Sequence, residues 1–235
     1  MSASPPSPLE IEPKVAVGWV PLAPISELRA AMPIPVPVTL AGRPWALVEL
    51  DGEVSALHDV CPHRRVPLSA GKVAPGPGGR QVLECGYHGW SYRRDGACAR
   101  IPALGEDVVP RGMGSVAVLS TVVAGGLVWG CPDEVPGTAP ELGATDVFLR
   151  EQIIDAAAPE ITAALGASEE AVGGVRTGSD EFGPLRFAVR PIAPRRCALF
   201  PLVTADELAA GMAEWVRRTG ALPVTPIPSD PDHER

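Results

Sequence analysis

The sequence predicts a mainly β protein: an antiparallel β-sandwich or barrel followed by a small α+β unit. Three observations carry this. Short β-rich runs alternate with turn pairs such as Asp51-Gly52, Asp95-Gly96 and Gly125-Gly126, a strong hairpin signal. The 28 Pro and 25 Gly are dispersed without a fixed period, which suits many turns and rules out a collagen-like chain. After Cys131-Pro132-Asp133-Glu134 the pattern changes to helical stretches mixed with strands.

The elements follow in order. Residues 1–14 are Pro- and Ser-rich and read as a disordered lead with no export signal. The first structured unit runs over residues 15–134. Ile25–Ala31 reads as its one helix, with Ser26 as the cap. Val36–Leu40, Ala46–Leu50 and Val54–Leu57 read as strands. The apolar stretch Ser115–Gly130 is broken by Ser120, Thr121 and the glycine pair, so it reads as two hairpin strands and not as a membrane span. The second unit, residues 135–223, carries helical patterns over Asp146–Leu165 and Asp206–Thr219. In the latter, Leu208, Met212, Trp215 and Val216 share one face. Leu185–Arg190 and Cys197–Phe200 read as two strands around a Pro-containing turn. Residues 224–235 form a Pro-rich, polar tail.

Composition narrows function. With 46% apolar and 20% charged residues, the 235-residue chain can bury a sizeable core. A net charge of −8, most of it beyond residue 134, argues against a general nucleic-acid binder. Five cysteines are an odd count that suits a reducing, cytoplasmic setting and a metal or a reactive thiol, not a disulfide framework.

Two segments carry the chemistry, Cys61-Pro62-His63-Arg64 and Cys85-Gly86-Tyr87-His88-Gly89-Trp90, with residues 64 to 84 between His63 and Cys85. Two thiolates and two imidazoles suit tetrahedral zinc or an iron–sulfur cluster in which His replaces Cys on one iron. Zinc fingers usually pair like ligands within a segment. Here each segment offers one of each, which suits a cluster gripped by two loops, each giving Cys to one iron and His to the other.

These segments, in full Cys61-Pro-His-Arg-Arg-Val-Pro-Leu-Ser-Ala-Gly71 and Cys85-Gly-Tyr-His-Gly-Trp-Ser-Tyr92, resemble the Rieske [2Fe–2S] motif of the Rieske non-haem iron oxygenases. Trp19-Val-Pro-Leu22, Leu40-Ala-Gly-Arg-Pro44, Asp95-Gly-Ala-Cys-Ala-Arg-Ile-Pro102 and Gly126-Leu-Val-Trp-Gly130 are similar to strands of the same domain. The resemblance implies a Rieske-type antiparallel β-sandwich over residues 15–134. It also implies one [2Fe–2S] cluster on Cys61, His63, Cys85 and His88, with the cysteines on the buried iron and the histidines on the outer one. Val73–Gly79 is longer than the family's spacer and should form a surface bulge. Membrane quinol-oxidising relatives carry two further cysteines and a Ser whose hydroxyl bonds to sulfur. Here Val66, Tyr87 and Trp90 hold those positions, so the resemblance implies a low-potential cluster lacking that hydroxyl.

The related oxygenases also hold a mononuclear iron on two His and one carboxylate. Beyond His63 and His88 the sequence offers only His58 and His233. Glu151–Glu160 is similar to the family segment that bears an electron-bridging Asp, matched by Asp155, and a first ligand His, replaced here by Ala158. The expectation is a shortened catalytic domain without mononuclear iron. The leading expectation for function is a one-electron carrier between a reductase or ferredoxin donor and a separate oxygenase chain, with no membrane partner. A degenerate assembly or regulatory subunit, or a complete oxygenase with an unusual iron site, are the alternatives, and oligomeric state stays open. Arg64, Arg65, Arg80, Arg93, Arg94 and Arg100 read as a solvated face or as a basic rim for an acidic redox partner. His58, Cys98, Cys131 and Cys197 read as second-layer or core residues.

Overall fold

The computed structural model describes residues 18–105, 114–133, 135–167, 173–180 and 183–208. The expected lead, most of the Asp206–Thr219 helix, the tail and His233 lie outside them. The elements of the first half are β1 (Val20–Pro24), α1 (Ile25–Ala31), β2 (Val36–Leu40), β3 (Arg43–Leu50), β4 (Glu53–His58), β5 (Lys72–Pro75), β6 (Gln81–Glu84), β7 (Ser91–Tyr92), β8 (Cys98–Arg100), β9 (Val118–Ala124) and β10 (Leu127–Cys131). They form a six-stranded sheet in the order β1-β10-β9-β4-β3-β2 and a four-stranded sheet β5-β6-β7-β8. Every pairing is antiparallel, as the hairpin-rich sequence predicts.

Strand β3 shows how the sequence sets the layers. Ala46, Val48 and Leu50 pack with Leu68, Leu83, Cys85 and Tyr92 in the core shared with the four-stranded sheet. Trp45 and Leu47, on the opposite face, pack with Leu28, Val36 and Val128 under α1. The period of two buries one face in each direction. The helix over Ile25–Ala31 forms as expected, but it starts behind Pro24 with no side-chain cap, so Ser26 is not the cap. Proline's fixed φ and missing N–H suit a helix start without one.

The second half contains β11 (Asp146–Phe148), β12 (Gln152–Ile154), α2 (Ala158–Ala164), β13 (Arg176–Asp180), β14 (Gly183–Ala193) and β15 (Arg196–Thr204). Its sheet runs β11-β15-β14-β13, with β12 also on β15. The helical reading of Asp146–Leu165 is corrected here. Its first part pairs as strands, Val147 opposite Val203 and Ile153 opposite Ala198, and only the part from Ala158 is helical. Strand pairing on a half-buried surface suits Val147, Ile153 and Ile154, and Pro159 in the first turn marks where a helix can start. The hairpin of β14 and β15 matches the expected strand pair.

Alternation on this hairpin fastens the two halves. Leu185, Phe187, Val189, Cys197 and Leu199 face α2, where Ile161 and Leu165 cover them. Ala188, Ala198 and Phe200 face the other way and meet Trp19, Leu127, Trp129 and Cys131 of the first half. Trp129 packs edge-on against Phe148 at 5.6 Å. The Trp19 indole donates to the Gly137 carbonyl at 2.9 Å, and the Ala41 and Gly42 N–H groups donate to the Pro191 and Ile192 carbonyls. Among the described residues no helix is long and apolar enough to cross a membrane.

Trp129 is fully buried at this seam. Trp129→Ala is expected to destabilise the chain by about 3–5 kcal/mol through the cavity it leaves, read from urea unfolding.

Candidate metal centre

Two loops, one after β4 and one after β6, have the same backbone closure. In the first, the Cys61 N–H donates to the Val66 carbonyl at 2.9 Å and the Arg65 N–H to the Cys61 carbonyl at 2.7 Å. In the second, the Cys85 N–H donates to the Trp90 carbonyl at 2.8 Å and the Gly89 N–H to the Cys85 carbonyl at 3.1 Å. Arg65 and Gly89 are left-handed, with φ of 59° and 70°. Glycine accepts that conformation readily, whereas arginine carries a penalty of about 1–2 kcal/mol. The loops also touch through backbone: a Cβ at Gly86 would lie 2.7 Å from the Ala70 carbonyl oxygen.

The closures sort the four sequence-predicted residues into two pairs. Cys61 and Cys85 are 1% and 3% exposed and lie together in the core between the two sheets. Burial, with the Cys61 thiol alongside, pushes the Cys85 thiol above its ordinary value. His63 and His88 lie outward, with their Nδ1 atoms 3.2 Å apart and His88 exposed. The desolvating surroundings of His63, with His88 and Arg64 beside it, hold its imidazole below the usual range. Among the described residues no three His, Cys, Asp or Glu side chains converge on one ion position. A single zinc needs such convergence. A buried sulfur pair beneath an imidazole pair, His63 half-buried and His88 exposed, instead fits a two-iron group that takes unlike donors on its two irons.

Aromatic rings frame the histidines. The Trp90 indole stacks on His63 and Tyr87 lies against His88, with centroids 4.8 and 3.9 Å apart. The serine hydroxyl is absent, as Trp90 at that position implies, but Tyr92 brings a different hydroxyl to the site. Its phenol oxygen lies 3.2 Å from Cys61 Sγ. Tyr92 is fully buried, and that burial drives its phenol well above the ordinary range, so it stays protonated and able to donate. Sequence reasoning placed Tyr92 in the motif without a role, because the contact depends on how β7 crosses beneath the first loop.

Asp59 was also missed. It is buried and accepts from both the Ser69 N–H and the Ser69 hydroxyl at 2.6 Å, which ties the start of the first loop to the 3-10 turn after it. Its position two residues before Cys61 and ten before a Ser was the available signal.

The remaining candidates lie apart. His58 packs edge-on against Trp45 at the end of β4, where burial lowers its pKa. Cys98 sits in the core beside Cys61 and Cys85; Cys131 and Cys197 lie in the seam and under α2. All five cysteines are free. Burial raises the thiols of Cys98, Cys131 and Cys197, the last to about 11. Asp155 is exposed just before α2, and Ala158 is the first residue of that helix. Among the six arginines, Arg94 pairs with Glu53 and Arg93 lies 3.9 Å from Asp95, while Arg64 and Arg65 are exposed in the histidine loop itself. The Val73–Gly79 spacer is a hairpin arm and not a bulge: Val73 pairs with Leu83 and its side chain is buried.

Two predictions follow from this geometry. Cys61→Ser and Cys85→Ser are expected to lose bound iron and acid-labile sulfide, whereas Cys98→Ser, Cys131→Ser and Cys197→Ser keep both. Tyr92→Phe is expected to keep the cluster and lower its reduction potential by roughly 60 mV, a tenfold shift for a one-electron couple. The reason is loss of the hydroxyl that offsets charge on the Cys61 sulfur, and protein-film voltammetry reads it.

Comparison with known proteins agrees with this geometry. Residues 18–120 match the family described as the Rieske [2Fe-2S] domain. Chlorophyllide a oxygenase of Chlamydomonas reinhardtii is 37% identical over 131 residues, covering 54% of this chain and 18% of that protein. Methylxanthine N3-demethylase NdmB of Pseudomonas putida is 38% identical over 97 residues, covering 40% of this chain and 27% of that protein. The matches thus span about a quarter or less of these relatives' length. In fold the likeness reaches further. The solved structure of Pseudomonas putida CBB5 NdmB superposes with a TM-score of 0.66 at 20% identity, over 90% of this chain and 82% of that one. A paired-loop site on two antiparallel sheets, matched both in sequence and in fold, shows that this chain carries a Rieske [2Fe-2S] domain over residues 18–120 and shares that domain with the oxygenase and demethylase it resembles.

Proposed function

We propose that this chain is a one-electron carrier that receives electrons from a reductase or ferredoxin and passes them to an oxygen-activating iron on another chain. The observation that carries the reading is the two-sided site: sulfur donors sealed in the core, imidazole donors at the surface. A [2Fe–2S] group bound there supplies reversible one-electron chemistry. Cys61 and Cys85 hold its inner side, and His63 and His88 its outer side. The exposed edge of His88 brings a partner within electron-transfer reach without opening the core. Arg64 and Arg65 are exposed in the same loop and favour an acidic partner surface.

The oxygenase relatives work as larger proteins. Within these 235 residues, His58 and His233 are the imidazoles left for a second iron. His58 is occupied in packing against Trp45 at the cluster domain's own strand end. A two-histidine, one-carboxylate site needs its donors to converge, and Ala158 stands at the one alignable ligand position. The carrier reading therefore assigns hydroxylation to a partner. The free cysteines favour a reducing, cytoplasmic setting.

The test is spectroscopic and catalytic. Purified protein is expected to hold about two iron and two labile sulfide per chain and to give a Rieske-type EPR signal on reduction. With a reductase and O₂ it takes up electrons and forms no hydroxylated product, and ferrous titration finds no additional tight site. Zinc without labile sulfide overturns the cluster assignment. A third stoichiometric iron with reductase-dependent product overturns the carrier role alone.

A further inference from the structure

We infer that Trp90 is a positioning residue: its indole, wedged between Gly114 and His63, fixes the His63 ring plane and holds the reduction potential down. The inference rests on the cluster assignment above and concerns a residue that assignment does not use.

The two histidines are held differently. The His63 ring and the Trp90 indole are stacked within 3° of parallel. Among the described residues His88 has no such wall. It is tilted 54° from His63 and 42° from Tyr87, and Tyr87 is itself 60% exposed. A flat contact restricts rotation of an imidazole about its Cβ–Cγ bond, while a tilted, solvent-facing contact restricts it far less.

The wall itself is built in from three sides. The Trp90 carbonyl accepts the Cys85 N–H at 2.8 Å, which fixes the backbone from which the indole projects. The half-buried indole packs against the core that contains Cys61, Cys85 and Tyr92. On another side lies Gly114, where a Cβ would come within 2.7 Å of the indole Cζ3 and 3.3 Å of Cε3. Gly114 has φ of 75°, a conformation that other residues rarely adopt. A segment remote in sequence thus leaves a slot that the indole fills.

The sign of the effect follows from charge. Reduction adds one negative charge on the histidine side. Water stabilises that charge, and the electron-rich face of an indole disfavours it. Trp90 keeps water from one face of His63 and puts its own π face there, so both contributions lower the potential. Second-layer groups of this kind orient a ligand and tune the metal it holds.

Trp90→Leu, Trp90→Phe, Gly114→Ala and the Gly114→Ala/Trp90→Leu double variant test this in full-length protein with iron and sulfide counted. Trp90→Leu is expected to raise the potential about tenfold in the reduction equilibrium, about 60 mV for one electron. It should also broaden the EPR signal, because His63 then samples several ring planes. Trp90→Phe keeps a flat face and stays nearer the parent. Gly114→Ala crowds the indole out of its slot, so it moves both readouts in the same direction with Trp90 present. In the double variant the Gly114→Ala increment disappears. A cluster-loaded Trp90→Leu protein with unmoved potential and linewidth overturns the inference. So does an additive Gly114→Ala effect. If Trp90→Leu loses its cluster, Gly114→Ala decides: a raised potential supports the inference and an unmoved one overturns it. Parent protein without a Rieske signal overturns the cluster assignment, and this inference with it.

Discussion

The structure depends on one constraint: two cysteines must be sealed from water while histidines only two and three residues further along the chain reach the surface. A regular helix or strand that put a Cys and its His on opposite faces would point them apart, so neither lets all four side chains meet one group. The chain meets the constraint by turning back sharply after each cysteine, with the Cys N–H bonded to the carbonyl five residues later. Everything around the loops serves to hold those turns. The six-stranded sheet delivers the first loop from β4, the four-stranded sheet delivers the second from β6, and the core between the sheets closes over both cysteines.

The repeated closure also shows where the loops are unequal. Gly89 and Arg65 occupy the same left-handed place, so the first loop carries backbone strain that the second does not. The Asp59–Ser69 bonds fall on that strained loop. Two short hydrogen bonds to a buried carboxylate are among the stronger interactions available to a protein, about 1.5–3 kcal/mol each. They are enough to offset one left-handed arginine. The second loop, closed by glycine and by the Cys85–Trp90 bond, needs no such latch.

The paired Cys and His segments and most of the hairpins were legible in the sequence, since both are local patterns. Asp51-Gly52 and Gly125-Gly126 turn the chain where they were expected to. What escaped was set by tertiary partners. Val147 and Ile153 carry a pattern that reads as helix until β15 offers its edge. Tyr92 differs from any motif tyrosine only because the Cys61 sulfur lies within reach. The pairing of Arg94 with Glu53 at the start of β4 is likewise a contact that only the fold brings about. His58 was legible as a strand-end residue because it directly continues the β4 pattern.

The β5–β6 arm separates the length of the chain between the loops from the distance between them. At its root, Lys72 sits opposite Glu84, one residue before Cys85, and Val73 and Leu83 anchor the same end in the core. Its tip, Pro77–Gly79, is a solvent-exposed 3-10 turn outboard of those anchors. Length added there is carried away from the site along the arm. The tip is thus a natural handle, where an affinity peptide, a dye or a surface linker can be grafted for electrode or single-molecule work while the spacing of the two cysteines stays set by the root.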